Sequence, residues 1–397
     1  MNMQIGGDWL SNIIWFLFFL AMVFLYPRIM ISQVLWRLDQ TVNMLSGLTN
    51  SAKRMIFRKF SKGCKDLKRA KEAINNFLEF FVIEPVNLDP FGIVRKFEHL
   101  LNLSLSRFKY FVNRIAPKLD EEEKANMMMS LSGTISLYQL MKIVRHYVEF
   151  IKKTKNIQLA LLLQMQIPQI ERLSKALHKG TQAFVNGWAV GDGIGALVAA
   201  ELMDGRLKEI EEDTLMCETK ILGKDVIILK AKGPGGRLGK IGKAVEKIMR
   251  THRISKIITI DASLKLEGER TGSIAEGIGV AVGGIGVDKA YIENLATKKN
   301  IPLDSIVIKM SQEEAIMPMK IEILKAAEEV KKAILRNIEE SETKGKILII
   351  GVGNTCGIGN SKEEAEECKE KTKRVYIQLK EKGFYEIEKP KGFLWGF

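Results

Sequence analysis

Hydrophobic positions fall into three regimes along the chain. From Trp9 to Tyr26 (WLSNIIWFLFFLAMVFLY) eighteen residues run without a charge, close to the roughly 20 that a helix needs to cross a hydrocarbon core. From there to about residue 180, apolar residues recur at three- and four-residue spacing, the period of amphipathic helices. Beyond residue 181, apolar runs of strand length alternate with helical patterns. That order predicts an α/β domain with a mainly parallel sheet and right-handed crossovers.

The first run reads as a single transmembrane helix over residues 9–26. Trp9 and Tyr26 stand at its ends, where amphipathic rings favour the headgroup region, and Pro27 and Arg28 close it. Residues 1–8 contain Asp8 but no Lys or Arg, and no small-residue cleavage site follows, which favours a retained anchor over a secretory signal. Residues 28–71 carry eleven Lys/Arg against Asp39 and Asp66. The positive-inside rule therefore places this flank in the cytoplasm, with residues 1–8 outside and the bulk of the chain inside. Residues 181–200 have the length of a second span, but four glycines and Asp192 argue against it.

The region 27–180 reads as all-helical and basic. Leu35, Leu38, Val42 and Leu45 repeat like a short coiled-coil seam. Such a seam serves either a homo-oligomer or one face packed on its own domain. Leu67, Ala70, Ile74, Phe77 and Phe81 continue the helical spacing, broken at Glu84-Pro85 and Asp89-Pro90. Further helices are expected over 92–115, from the Asp120 cap to Lys153, and over 156–179 with Pro168 inside.

Charge sharpens this division. The net +14 comes almost wholly from residues 1–180, with 26 Lys/Arg against 14 Asp/Glu, whereas residues 181–397 hold 35 against 33. Glycine splits the other way, 7 against 26, so a boundary falls near Gly180. The basic flank at 28–71 suits anionic lipid headgroups beside the span. It lacks interleaved aromatics and any recognisable module, which argues against nucleic acid. Cys64, Cys217, Cys356 and Cys368 are scattered, as are the four histidines, so neither a disulfide framework nor a zinc site is indicated.

In the glycine-rich region 181–397, Thr214–Ile221 and Val226–Ala231 flank Gly223-Lys224-Asp225 like a hairpin. Lys256–Asp261, Ser305–Met310 and Lys346–Val352 read as buried strands, separated by helical patterns near 240–251, 288–299, 311–340 and after Ser361. Ligands in such sheets bind beyond the carboxyl ends of strands. Three strand ends carry candidate chemistry. In AKGPGGRLGKIGK (231–243), Gly233, Gly235 and Gly236 would offer N–H groups to a phosphate, with Arg237 and Lys240 as countercharge. In the segment 259–289, Asp261 and Lys265 would face a ligand, and Asp261, Glu267 and Glu269 would hold Mg²⁺ through oxygen; a tightly packed glycine-rich helix is expected to follow. In IIGVGNTCGIGN (349–360), Gly351, Gly353 and Asn354 form a weak anion-binding turn in which Cys356 replaces a third glycine. A fourth junction, around Asp192, is either another such turn or a domain joint. Each loop has an ordinary reading as well: backbone packed tightly on backbone.

The combination FFVIEPVNLDPFGIV (80–94), VGDGIG (190–195), DASLKLEGERTG (261–272) and GVGNTCGIGN (351–360), behind an N-terminal anchor, resembles an archaeal family of membrane-associated proteins of unknown function. The resemblance implies an archaeal origin and carries no activity or cofactor. Three functions stay open: a membrane-anchored protein that binds a nucleotide or other phosphorylated ligand with Mg²⁺, a non-enzymatic, membrane-tethered oligomeric scaffold, or, ranked last, a membrane pore built from residues 181–200 and 271–287.

Overall fold

A computed structural model describes residues 8–64, 66–85, 92–282, 286–341 and 345–386. Residues 1–7 of the expected outer terminus, Lys65 of the basic flank and the Asp89-Pro90 break lie outside these.

The N-terminal half is helical, in five segments: α1 (Asp8–Ser61), α2 (Leu67–Phe77), α3 (Ile93–Ile115), α4 (Glu121–Thr154) and α5 (Ile157–Asn186). Pro27, which closes the uncharged run, does not end the helix: α1 runs through it. Proline removes one backbone donor, but apolar helical pattern on both sides of the position sustains the helix. Among the described residues one helix is long and apolar enough to cross a membrane, and it is α1. Its large apolar side chains from Ile13 to Tyr26 are 39–67% exposed among the described residues.

The chain divides into two compact units, and the division cuts through the helical region. Residues 1–50 and 137–174 form the first; residues 51–136 and 175–397 form the second. In the first, Val34, Leu38, Val42 and Leu45 of α1 are buried against Met141, Val144, Val148 and Ile151 of α4 and Ala160 and Ile167 of α5. The heptad-like seam is thus filled by its own chain.

In the second unit a seven-stranded mixed sheet comprises β1 (Leu207–Glu211), β2 (Thr214–Ile221), β3 (Lys224–Ala231), β4 (Ile254–Leu264), β5 (Ile274–Ile278), β6 (Leu303–Met310) and β7 (Lys346–Gly351). The spatial order is β1-β2-β3-β7-β4-β6-β5. The four central strands, β3, β7, β4 and β6, are parallel, while the outer pairings β1–β2, β2–β3 and β5–β6 are antiparallel. The expectation of a mainly parallel sheet holds only for the centre. The β2–β3 hairpin turns through Leu222 and Gly223, both at positive φ, as a two-residue turn requires.

Helices cover both faces. Val226, Ile228, Ile258, Ile306 and Ile349 pack under α6 (Ile194–Leu202), α10 (Ile321–Glu339) and α11 (Lys362–Glu381). Ile227, Leu229, Ile257, Leu348 and Ile350 pack under α7 (Ile241–Thr251) and α8 (Val287–Lys299). A short α9 (Gln312–Ile316) precedes α10. The 181–200 stretch closes α5 and then forms a 3-10 turn (Gly191–Gly193) and α6, which is buried throughout apart from Leu202. Where a packed glycine-rich helix is expected after residue 271, Ile274–Ile278 form the edge strand β5 instead. Glycine tolerates an extended edge, where Gly277 has open space, better than a helix interior.

Candidate functional site

The loops after β3 and β7 meet beyond the carboxyl ends of those neighbouring parallel strands. The Thr355 amide donates to the Arg237 carbonyl at 3.1 Å and the Gly357 amide to the Pro234 carbonyl at 2.7 Å. The Thr355 hydroxyl lies 2.7 Å from the Gly235 carbonyl and 2.8 Å from that of Lys232, with one proton to give to either. Gly233, Gly235, Gly236 and Arg237 are therefore drawn against the loop that holds Gly353 and Asn354, while Gly351 pairs with Lys230 inside the sheet and Lys240 lies against Thr214 and Glu212.

The donors proposed for a phosphate already have acceptors from the chain. Gly233 N–H donates to Asn360 Oδ1 (2.7 Å), Gly235 N–H to Glu122 Oε2 (2.6 Å) and Gly236 N–H to Asn126 Oδ1 (2.7 Å). Arg237 N–H reaches Thr355 Oγ1 at 3.3 Å and Lys240 N–H reaches Thr214 Oγ1 at 2.7 Å. The countercharges are used as well. The Arg237 guanidinium pairs with Glu122 and, at 3.1 Å, with Asp213, while Lys240 Nζ lies 2.7 Å from Glu212. Glu122 and Asn126, four residues apart in the first turns of α4, share one helix face. The loop after β3 thus clamps a carboxylate of the chain itself, in the way a glycine loop beside an arginine would clamp a phosphate.

The glycines of the β7 loop serve close approach. A Cβ on Gly353 would strike the Asp192 carbonyl, and one on Gly351 would strike Ala199 and the Gly195 carbonyl. Gly353 also stands at φ +127°. Asn354 N–H donates to Asp192 Oδ2 at 3.0 Å, and Asn354 Oδ1 accepts from Cys356 N–H at 2.9 Å. Burial raises the Asp192 carboxyl against the lowering influence of that Asn354 amide. Burial also pushes the Cys356 thiol up to about 12, so it is a neutral thiol near pH 7 rather than an activated nucleophile.

The third segment is built differently. Asp261 is 3% exposed in β4 and accepts from the Ala262 amide at 2.7 Å. Lys265 Nζ bonds Thr271 Oγ1 at 2.8 Å, Glu269 pairs with Lys309, and Glu267 faces solvent. Among the described residues no three His, Cys, Asp or Glu side chains gather as a metal ligand set, so Asp261, Glu267 and Glu269 are not brought together. The spacing that suggested Mg²⁺ fails because Asp261 lies in the strand, its side chain buried, while Glu267 and Glu269 follow in an exposed turn.

Sequence reasoning missed Lys230. It is fully buried at the end of β3, and its ammonium donates to the carbonyls of Ala231 (2.8 Å) and Gly359 (2.9 Å) and to Asn360 Oδ1 (3.1 Å). Burial lowers the amine to about 7, against the raising influence of Glu364 and Cys368. Its only signal was a lysine inside the apolar run DVIILKA. The acceptors Glu122 and Asn126 were equally hidden, because an acidic first turn reads simply as a helix-dipole complement.

A family model described as the N-terminal domain of a protein of unknown function (DUF1512) matches residues 12–187. A second, described as the C-terminal domain of unknown function of DUF1512, matches residues 190–359. No curated protein and no solved structure matches the chain.

Proposed function

We propose, for a chain that belongs to the DUF1512 family, a single-pass membrane protein whose α/β body is held on the cytoplasmic side by the N-terminal part of α1. The observation that carries this reading is the unbroken belt of exposed apolar side chains from Ile13 to Tyr26. In water such a belt is unfavourable by roughly 25 cal/mol per Å², and in hydrocarbon the cost vanishes. The basic flank that begins at Arg28 sets the orientation. The test is fractionation of cells expressing the full chain, followed by protease added to sealed cells and to inverted vesicles. The body should stay with membranes through alkaline carbonate and be cut only in inverted vesicles. Release by carbonate, or cleavage from outside sealed cells, overturns the reading.

A second reading is favoured by the convergence of the β3 and β7 loops. A nucleotide or another phosphorylated ligand takes the place that the Glu122 carboxylate holds against Gly235 N–H and Arg237. Glu122→Ala in the full chain would then strengthen binding of inorganic phosphate or ATP, read as a larger thermal shift at fixed ligand concentration. No shift in either protein removes this reading.

A further inference from the structure

The unit of residues 1–50 and 137–174 has a corner that its own core does not use. Two side-chain bonds set the register between α1 and α4: Arg145 to Ser46 at 3.0 Å and Lys152 to Asp39 at 2.9 Å. Seven residues along α4 match seven along α1 in the opposite direction, so the two helices are antiparallel and α4 returns toward the apolar belt. Its last residue, Thr154, stands beside about residue 37, so the corner lies roughly 16 Å along the axis from Tyr26 at 1.5 Å per residue. Helix α5 then leads away again, as the 3.1 Å bond from Thr41 to Glu171 shows.

We propose that the α4–α5 corner is a second membrane contact, seated on the anionic headgroup surface at the cytoplasmic end of the span. This rests on α1 being a span. The headgroup layer extends roughly 5–8 Å beyond the hydrocarbon. Extended lysine side chains and a Debye length of about 8 Å cover the remaining distance.

Charge selects the occupant. Lys153 and Lys155 are exposed at the corner. Residues 28–40 and 149–160 hold Arg28, Arg37, Lys152, Lys153 and Lys155 against Asp39 and Glu149, five cations against two acids and a net of +3, with Glu171 a third acid just beyond, bonded to Thr41. A second copy would set one such patch against another and be repelled, whereas anionic lipid is attracted. Leu162 and Met165, in the first turns of α5, are 61% and 74% exposed, and Trp36 is 66% exposed on the outward side of α1. At this distance from Tyr26 the apolar side chains lie at the outer edge of the headgroup layer rather than within it, and the lysines carry the attraction.

The test uses the full chain, with Cys64→Ser, reconstituted in phosphatidylcholine vesicles with and without phosphatidylglycerol. One fluorophore is placed at Met165→Cys and read against a headgroup-borne quencher; another at Phe18→Cys is read against an acyl-chain quencher. The Met165 probe should be quenched on anionic vesicles. Lys153→Glu with Lys155→Glu should weaken that contact on the order of tenfold or more, and Lys153→Ala with Lys155→Ala should weaken it less. Circular dichroism confirms that the variants remain folded. Quenching at Phe18 without quenching at Met165 overturns the corner contact and leaves the anchor standing. No quenching at either overturns the span, and the corner with it. Equal quenching of Met165 on neutral vesicles, or its shielding by self-association, also overturns the proposal.

Discussion

Two apolar stretches of the chain meet opposite fates, and glycine separates them. The belt from Ile13 to Tyr26 is built of large side chains, and they stay exposed. The stretch through α6 is also mostly apolar, but glycine and alanine are interspersed among its larger side chains and it is buried beneath the sheet. At Gly195 a Cβ would meet the carbonyl oxygens of Ile260 and Val352, so helix and sheet touch backbone to backbone. Large apolar residues suit a solvent that flows around them, whether lipid or a partner. Small ones suit a protein that must interlock with itself. The polar groups agree. The belt has none charged, while Glu201 at the end of α6 is tolerated because Lys331 (2.7 Å) and Lys369 (3.1 Å) pair with it.

The comparison breaks most sharply at Gly195. Gly195→Leu forces the α6 backbone off the sheet and should destabilise the body by more than about 3 kcal/mol, read as loss of the cooperative unfolding transition of the full chain in detergent. If its midpoint stays near that of the wild type, helix and sheet do not interlock at Gly195. Phe18→Lys in the belt should leave the body folded but cost insertion roughly 3 kcal/mol, seen as a shift of protein from the carbonate-resistant to the soluble fraction. Unchanged fractionation would mean the belt does not meet hydrocarbon.

Lys230 sharpens the contrast from inside the body. Lys230→Met leaves the Ala231 and Gly359 carbonyls and Asn360 without their shared donor and should cost about 1–3 kcal/mol near neutral pH. Its pH dependence is more specific. The folded amine, at about 7, lies below its ordinary 10.5, so between those values the unfolded chain holds more protons. Native stability from this group therefore rises with pH over that window. The difference in urea midpoint between wild type and Lys230→Met should widen from pH 7 to pH 9, and a constant difference would show that the amine does not titrate there. Smallest of all, Gly277→Ala on the open β5 edge should change stability by no more than about 0.5 kcal/mol, because nothing lies within 4 Å of the added carbon.

Much of the architecture was legible in periodicity. Apolar alternation and length located β2, β3, β4, β6 and β7, and the turn at Leu222-Gly223 followed from its glycine. The edge strands β1 and β5 were not, because LKEIE and IAEGI carry little buried pattern on a solvent-facing margin. In the candidate site, glycine content marked the loops that come close to something. It did not say to what, since a phosphate and a carboxylate such as that of Glu122 ask for the same N–H groups.

By itself the sequence determined the local events: which segments are helical, which strands are buried, where the long apolar helix near the N-terminus lies and where the chain must pass through glycine. These depend on side-chain volume, charge and period over a few neighbouring residues. Only the tertiary structure decided that residues 51–136 join the α/β body, that the 35–45 seam is filled by its own chain, and that Glu122, Asn126 and Asn360 occupy the glycine-loop donors. Each of those pairs residues about 100 or more positions apart, and a hydrogen-bond donor written in one segment carries no record of which distant acceptor will reach it.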